Sequence, residues 1–163
     1  MKRLTLEQIK KKLKYHRPAE ITDLLIRCKL PLEFVGDGQF REVFRISGTP
    51  YAIKVPTHVG GLYHSIQEVR ASKMLRKEEF SAIHPYLLTI HYSNRNTGII
   101  LTDFCKWASY AKNYNTIKEI HEWTEDQGFP DADVDTDQTD NYGLLGNQLK
   151  ILVLGCFAYG EEC

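Results

Sequence analysis

The alternation of apolar and polar residues along the chain predicts a set of short strands. Over residues 34–54 this alternation is interrupted at Gly36-Asp-Gly38 and at Ser47-Gly-Thr-Pro50, which predicts three consecutive antiparallel strands. Two apolar segments at 86–93 and 98–104 flank an Asn- and Gly-containing turn and predict a further hairpin. A last pair of short strands is predicted at 142–145 and 149–154.

Apolar residues at helical spacing predict four helices, which cover residues 5–15, 19–27, 64–80 and 106–127. Thr5 and Gln8 have the spacing of a capping box, which favours a helix start at this point. Pro18 suits the first turn of the second helix, and Gly128 with Pro130 would end the fourth. The two N-terminal helices are expected to pack as an extension of the domain that follows them.

Length and composition indicate a soluble protein without general affinity for polyanions. The chain has 163 residues with 21 basic and 21 acidic side chains, so its charge does not favour binding to nucleic acid or to an anionic membrane. No apolar run approaches the length of a membrane span, and the first residues lack the apolar core of a signal peptide. A cytoplasmic location is expected. The four cysteines show no paired metal-binding spacing, so we expect reduced, buried thiols.

The first three predicted strands carry the clearest chemical signal. Gly36 and Gly38 lack a Cβ atom, so the backbone of their hairpin can approach a charged ligand closely. Lys54 lies in an apolar strand, where a buried ammonium group needs an anionic partner. A glycine hairpin followed by a strand lysine resembles the way in which protein kinases hold the phosphates of ATP.

The order of these elements resembles the protein-kinase fold from about residue 32 to residue 157. The glycine hairpin, Ala52-Ile-Lys54 and an early glutamate, Glu68, on the following helix carry this resemblance. In detail the chain is most similar to short bacterial and phage kinase-like proteins, in which an arginine, here Arg41, replaces the third glycine of the loop. The resemblance implies an α+β fold with an antiparallel small lobe, one key helix and a minimal helical second lobe. The implied segments are an N-terminal helical extension (1–31), a small lobe with hinge (32–105) and a truncated large-lobe remnant (106–163).

The resemblance also implies roles for individual residues. Val43 and Ala52 would form an apolar roof over adenine, and Lys54 would pair with the phosphates and with Glu68. Residues 102–105 would be the hinge, with Thr102 at the back of the pocket. The implied nucleotide-binding residues are Gly36, Gly38, Val43, Ala52, Lys54, Glu68, Asp103 and Cys105.

Two positions near the phosphates depart from the kinase pattern. Asn141 fits the asparagine that binds the metal ion, but the position of the catalytic aspartate holds Thr136, with Asp135 and Asp137 on either side. Val153 stands where a second aspartate would hold Mg²⁺, and valine has no oxygen ligand to offer.

The acidic segment around these residues allows several interpretations. It fails the EF-hand pattern because its sixth position is not glycine and its twelfth is not glutamate. It is either a solvated loop, a weak site for a divalent cation, or a catalytic loop in which Asp135 or Asp137 serves as the acid.

These observations lead to three functional hypotheses. The first is a pseudokinase that keeps a nucleotide cleft for ATP, lacks a full Mg²⁺ site and acts by binding an unidentified protein partner. A phage-encoded decoy acting in the host cytoplasm would be one example. The second is a small ATP-dependent phosphotransferase with an off-register acid, and the third is an interaction protein with an empty cleft. Enzymatic activity is expected only under the second hypothesis.

Overall fold

The predicted run of strands after the N-terminal helix is present in the computed structural model, which describes residues 4–14, 29–128 and 141–152. The chain divides into two units. The first comprises Met1–Ile66 and Thr89–Phe104, and the second comprises Gln67–Leu88 and Cys105–Cys163. The predicted helix at 19–27 lies outside the described residues, as does the predicted acidic loop from residue 131 to residue 140.

A five-stranded antiparallel sheet forms the centre of the first unit. Its strands are β1 (Leu32–Asp37), β2 (Arg41–Ile46), β3 (Tyr51–Pro56), β4 (Ile90–Ser93) and β5 (Ile100–Asp103). They lie side by side in the order β1-β2-β3-β5-β4. The first three strands form the antiparallel meander predicted from the sequence.

Tight turns set the register of this sheet. At the tip of the β1–β2 hairpin, the Gly38 amide donates to the Arg41 carbonyl over 2.9 Å. The β4–β5 turn is closed by Asn94, whose side-chain oxygen accepts from the Asn96 amide over 2.9 Å. Gly98 has a φ of 69° in this turn, a conformation that glycine adopts without steric cost.

Helix α1 (Leu6–Lys14) packs on one face of the five-stranded sheet. The Gln8 amide donates to Thr5 Oγ1 and the Thr5 amide donates to Gln8 Oε1, which confirms the predicted capping box. Ile9 and Leu13 are almost fully buried against apolar residues of the sheet. The main members of that core are Leu30, Phe44, Ile46, Ile53, Val55, Ile99 and Leu101.

Helix α2 (Val59–Met74) follows β3 and begins five residues earlier than the predicted helix at 64–80. A glycine pair usually marks a loop, but Gly60 and Gly61 both lie in the first helical turn. The helix runs from the first unit into the second, which begins at Gln67. A 3₁₀ segment, Glu78–Tyr86, follows it, so the strand predicted at 86–93 is reduced to β4.

The second unit contains a helix and a small sheet. Strands β6 (Lys106–Trp107), β7 (Tyr142–Leu145) and β8 (Gln148–Ile151) pair in sequence order, and helix α3 spans Tyr110–Asp126. The predicted helix at 106–127 was therefore wrong at its start, because its first residues pair with β7 instead. The core of this unit comprises Ala71, Leu75, Phe80, Ile83, Leu87, Ala108, Ile117, Ile120, Tyr142, Leu149 and Ile151.

Gly143 shows why β7 can lie close to the start of β6. A Cβ atom at this position would lie 2.6 Å from the Cβ of Cys105 and 3.1 Å from the Lys106 carbonyl oxygen. Only glycine fits this contact without a shift of the backbone. Within the described residues, no helix combines the length and the apolarity that a bilayer span requires.

Candidate functional site

The strand register of the first unit places four predicted site residues on one face of its sheet. Val43 is paired with Lys54, and Ala52 is paired with Thr102. Directly paired residues of antiparallel strands project to the same side, and positions two apart in a strand do so as well. The face opposite the α1 core therefore carries Val43, Ala52, Lys54 and Thr102.

The lysine of this face is buried. Lys54 is only 6% exposed, and it is not an isolated charge because it has an interaction partner in the structure. Burial of an ammonium group is costly unless it is compensated, so its place in the middle of β3 requires an anionic or strongly polar environment.

The predicted partner of Lys54 is also buried. Glu68 is 2% exposed on α2 and likewise has an interaction partner. It lies beyond Gln67, in the part of α2 that belongs to the second unit. The pairing of Lys54 with Glu68 stays a prediction.

The two glycines of the β1–β2 hairpin, Gly36 and Gly38, have open space beside their Cα atoms. Neither Gly36 nor Gly38 is among the glycines with positive φ. A Cβ atom at either position would meet no other atom of the described structure within 4 Å. By contrast, Gly61 and Gly98 leave no room for a Cβ atom. The open space beside Gly36 and Gly38 is what a hairpin approached by a ligand would need.

The predicted hinge region contains a histidine–carboxylate hydrogen bond that the sequence did not indicate. Asp103 Oδ1 lies 2.7 Å from His91 Nε2, and both side chains are largely buried, at 18% and 19% exposure. The Tyr51 ring meets the His91 ring edge-on at 5.1 Å. The Phe104 amide donates to the Pro50 carbonyl over 2.8 Å, which ties the end of β5 to the start of β3.

The six histidines show no metal-ligand spacing in the sequence, so no role was predicted for any of them, including His91. It lies at the shift in register between Ile90 and Tyr92, where β4 has one residue more than β5. A bulge of this kind turns a side chain away from the regular alternation. No periodicity in the sequence could have predicted this direction.

Arg45 is a second feature of this face that the sequence analysis missed. It is paired with Ala52 across β2 and β3, and its guanidinium carbon lies 4.6 Å from the centre of the Phe104 ring. This distance is typical of a cation–π contact. The half-buried arginine therefore adds a positive charge to the side of the sheet that carries Lys54.

The remaining predicted residues belong to the second unit. Cys105 is half-buried and forms no disulfide, and its Cβ lies beside Gly143. The main-chain oxygen of Asn141, directly before β7, accepts from the Leu152 amide over 2.7 Å. Asp135, Thr136, Asp137 and Val153 lie outside the described residues. Among the residues that the structure describes, no group of three His, Cys, Asp or Glu side chains could hold a metal ion.

No protein-family model matches the chain, and no curated protein matches its sequence. One solved structure with a similar fold is the ternary complex of APH(2″)-IIa with streptomycin and ATP. The sequences are 16% identical, the TM-score is 0.41, and the match covers 70% of this chain. The chain spans 39% of the length of that protein.

The fold is α+β, as the sequence predicted, and the likeness to protein kinases stays a prediction. Its five-stranded antiparallel sheet has a helix inserted between β3 and β4, and a helix with a small sheet follows. The side of the sheet that carries Val43, Ala52, Lys54 and Thr102, together with the β1–β2 hairpin, is called the lysine face below.

Proposed function

We propose that the protein binds a nucleotide, ATP in the first instance, on the lysine face and that it acts as a pseudokinase. The observation that carries the nucleotide site is the combination of a buried Lys54 with the small or half-buried side chains of Ala52 and Val43 on the same face. The apolar positions suit a nucleobase, and the lysine suits the phosphates. The open space beside Gly36 and Gly38 supports a close approach of the hairpin to the phosphates.

Calorimetric titration of ATP into the wild type and into Lys54→Met tests the nucleotide site. We expect the wild type to bind and the variant to lose roughly tenfold or more in affinity, since it lacks the charge that meets the phosphates. Lys150→Met is the matched control, because Lys150 is also buried but donates to the Pro85 carbonyl in the second unit. Equal affinity for ATP in wild type and Lys54→Met would contradict the proposal.

The pseudokinase part of the proposal is supported by the sequence. Thr136 has no carboxylate to act as a base near neutral pH, and Val153 cannot bind Mg²⁺. We therefore expect ATP binding to change little when Mg²⁺ is removed. Transfer of the γ-phosphate, lost in Asp135→Asn or Asp137→Asn, would support the phosphotransferase hypothesis instead.

We further propose that the protein acts by binding another protein. Large apolar side chains are exposed within the described residues, among them Val59 at 83%, Trp107 at 60% and Phe34 at 59%. Aromatic side chains of this kind are enriched in protein interfaces. Photo-cross-linkers placed at Phe34 or Trp107 in cells should capture one defined protein, whereas a cross-linker at the exposed Lys73 should not. Equal labelling at all three positions would argue against a partner at either apolar position.

A further inference from the structure

The tip of the β1–β2 hairpin is attached to the residues at the start of α2. The Thr57 amide donates to the Phe40 carbonyl over 3.1 Å, and His58 Nε2 lies 3.1 Å from the Gln39 carbonyl oxygen. Both carbonyl groups belong to the two residues between Gly38 and Arg41. Two main-chain carbonyl groups of the hairpin tip therefore attach it to the residues at the start of α2.

The hydrogen bonds of His58 define its tautomer. The Gly60 amide donates to His58 Nδ1 over 3.1 Å, so this nitrogen carries the lone pair. Its hydrogen is then on Nε2 and points to the Gln39 carbonyl. One imidazole therefore caps the first turn of α2 and ties the hairpin tip to it.

Gly61 lets the hairpin tip lie directly against the helix. A Cβ atom on Gly61 would lie 2.1 Å from the carbonyl oxygen of Phe40, a main-chain atom that cannot swing away as a side chain could. The Phe40 ring stacks on the His64 ring, with centroids 3.8 Å apart and an angle of 23° between the planes. This cluster is called the tip contact below, and it consists of Phe40, His58, Gly61 and His64.

We propose that the tip contact is a latch whose opening sets the rate at which nucleotide enters and leaves the lysine face. The proposal rests on the nucleotide site proposed above and adds its regulation. Gly36 and Gly38 lie in the hairpin that ends at the latched tip, so release of the tip would let this part of the hairpin move away from the lysine face. His58 and Gly61 are positioning residues, since they act on the hairpin and not on the nucleotide.

His58→Asn separates the two functions of the histidine. Asparagine is a good N-cap and can still accept from the Gly60 amide, but its side chain is too short to reach the Gln39 carbonyl as well. Gly61→Ala breaks the contact from the helix side. Val59→Ala is the matched control, because Val59 lies in the same turn and is 83% exposed.

The first measurement uses nucleotide-free protein. Hydrogen exchange of the Thr57 amide reports how often the latch opens, and exchange of β3 amides reports unfolding of the sheet. We expect roughly tenfold faster exchange at Thr57 in His58→Asn, the effect of about one lost hydrogen bond, with β3 unchanged. Wild-type exchange at Thr57 in both His58→Asn and Gly61→Ala would overturn the latch. If Gly61→Ala does not fold, the exchange rate of Thr57 in His58→Asn alone decides whether the latch exists.

The second measurement follows a fluorescent ATP analogue by stopped flow. Release of the latch should raise the association and dissociation rate constants together, by about tenfold each, and leave Kd within a factor of about three. Val59→Ala should match the wild type. Unchanged rate constants in a variant with faster Thr57 exchange would overturn the gating role while leaving the nucleotide site intact. Failure of the wild type to bind would overturn the nucleotide site, and the gating with it.

Discussion

The imidazole of His91 and the carboxylate of Asp103 meet at 2.7 Å, and both are largely buried between β4 and β5. The Nε2–H group donates to Oδ1, since an ionised carboxylate can only accept. The contact fixes the side chain of Asp103, a predicted hinge residue, inside the first unit. The kinase resemblance assigns adenine binding to the main chain of the hinge, residues 102–105, and not to the Asp103 side chain.

We expect this pair to contribute to the stability of the first unit. A double-mutant cycle with His91→Ala and Asp103→Ala should give a coupling free energy of about 1.5 kcal/mol, typical of a hydrogen bond to a charged group. The free energies come from urea unfolding at neutral pH. The exposed pair Lys118 and Glu122 on α3 is the control, with an expected coupling of about 0.5 kcal/mol or less. Additive effects at His91 and Asp103 would show that the contact has no net energetic value.

Gly36→Ala and Gly38→Ala should separate nucleotide binding from stability. Because a Cβ atom at either position meets open space, we expect the free energy of unfolding to stay within about 0.5 kcal/mol of the wild type or to rise slightly. Binding of ATP should weaken by roughly tenfold, since the added methyl group lies where the phosphates would approach.

Gly48→Ala is the control for these two variants. Gly48 has a φ of 74° in the β2–β3 turn, so alanine should cost about 1 kcal/mol of stability. Its binding of ATP should remain that of the wild type. Unchanged binding in Gly36→Ala and Gly38→Ala would remove the hairpin from the proposed site.

Gly143→Ala should destabilise the second unit. The added Cβ would lie 2.6 Å from Cys105 Cβ and close to the main chain of Lys106, so β6 must move. We expect a loss of about 1–3 kcal/mol, as for other substitutions that overfill a packed site. Thermal unfolding measures the effect. Gly36→Ala is the matched control, because a Cβ atom at Gly36 meets open space. An equal loss of stability in Gly143→Ala and Gly36→Ala would contradict the close packing of Gly143 against Cys105.

Leu13→Ala tests whether α1 is part of the folded unit. Leu13 is 1% exposed in the core beneath the five-stranded sheet, so truncation should cost about 2–5 kcal/mol. Lys11→Ala, an exposed position on the same helix, should change stability by less than about 0.5 kcal/mol. Chemical denaturation followed by circular dichroism distinguishes the two outcomes. A small effect at Leu13 would mean that the sheet is stable without α1.

Short sequence motifs correctly predicted the elements that depend on interactions between residues close in the chain. The capping box at Thr5 and Gln8, the turn at Asn94 and the first three strands all form as predicted. The start of α2 was predicted wrongly because Gly60 and Gly61 usually mark a loop. Here His58 caps the helix from outside it, and Gly61 is needed for contact with Phe40. The low helix propensity of the glycine pair was therefore outweighed by a tertiary contact.

The sequence alone determined that Val43, Ala52 and Lys54 lie in the second and third strands of one meander, because the turns at Gly36-Asp-Gly38 and Ser47-Gly-Thr-Pro50 separate these strands. The order of strands and helices along the sequence also predicted the α+β class. Only the tertiary structure decided that His91 meets Asp103, that Arg45 stacks on Phe104 and that the hairpin tip rests on α2. These contacts depend on a bulge, on side-chain direction and on the close approach of two main chains. They arise when separate elements pack, and no local pattern in the sequence encodes them.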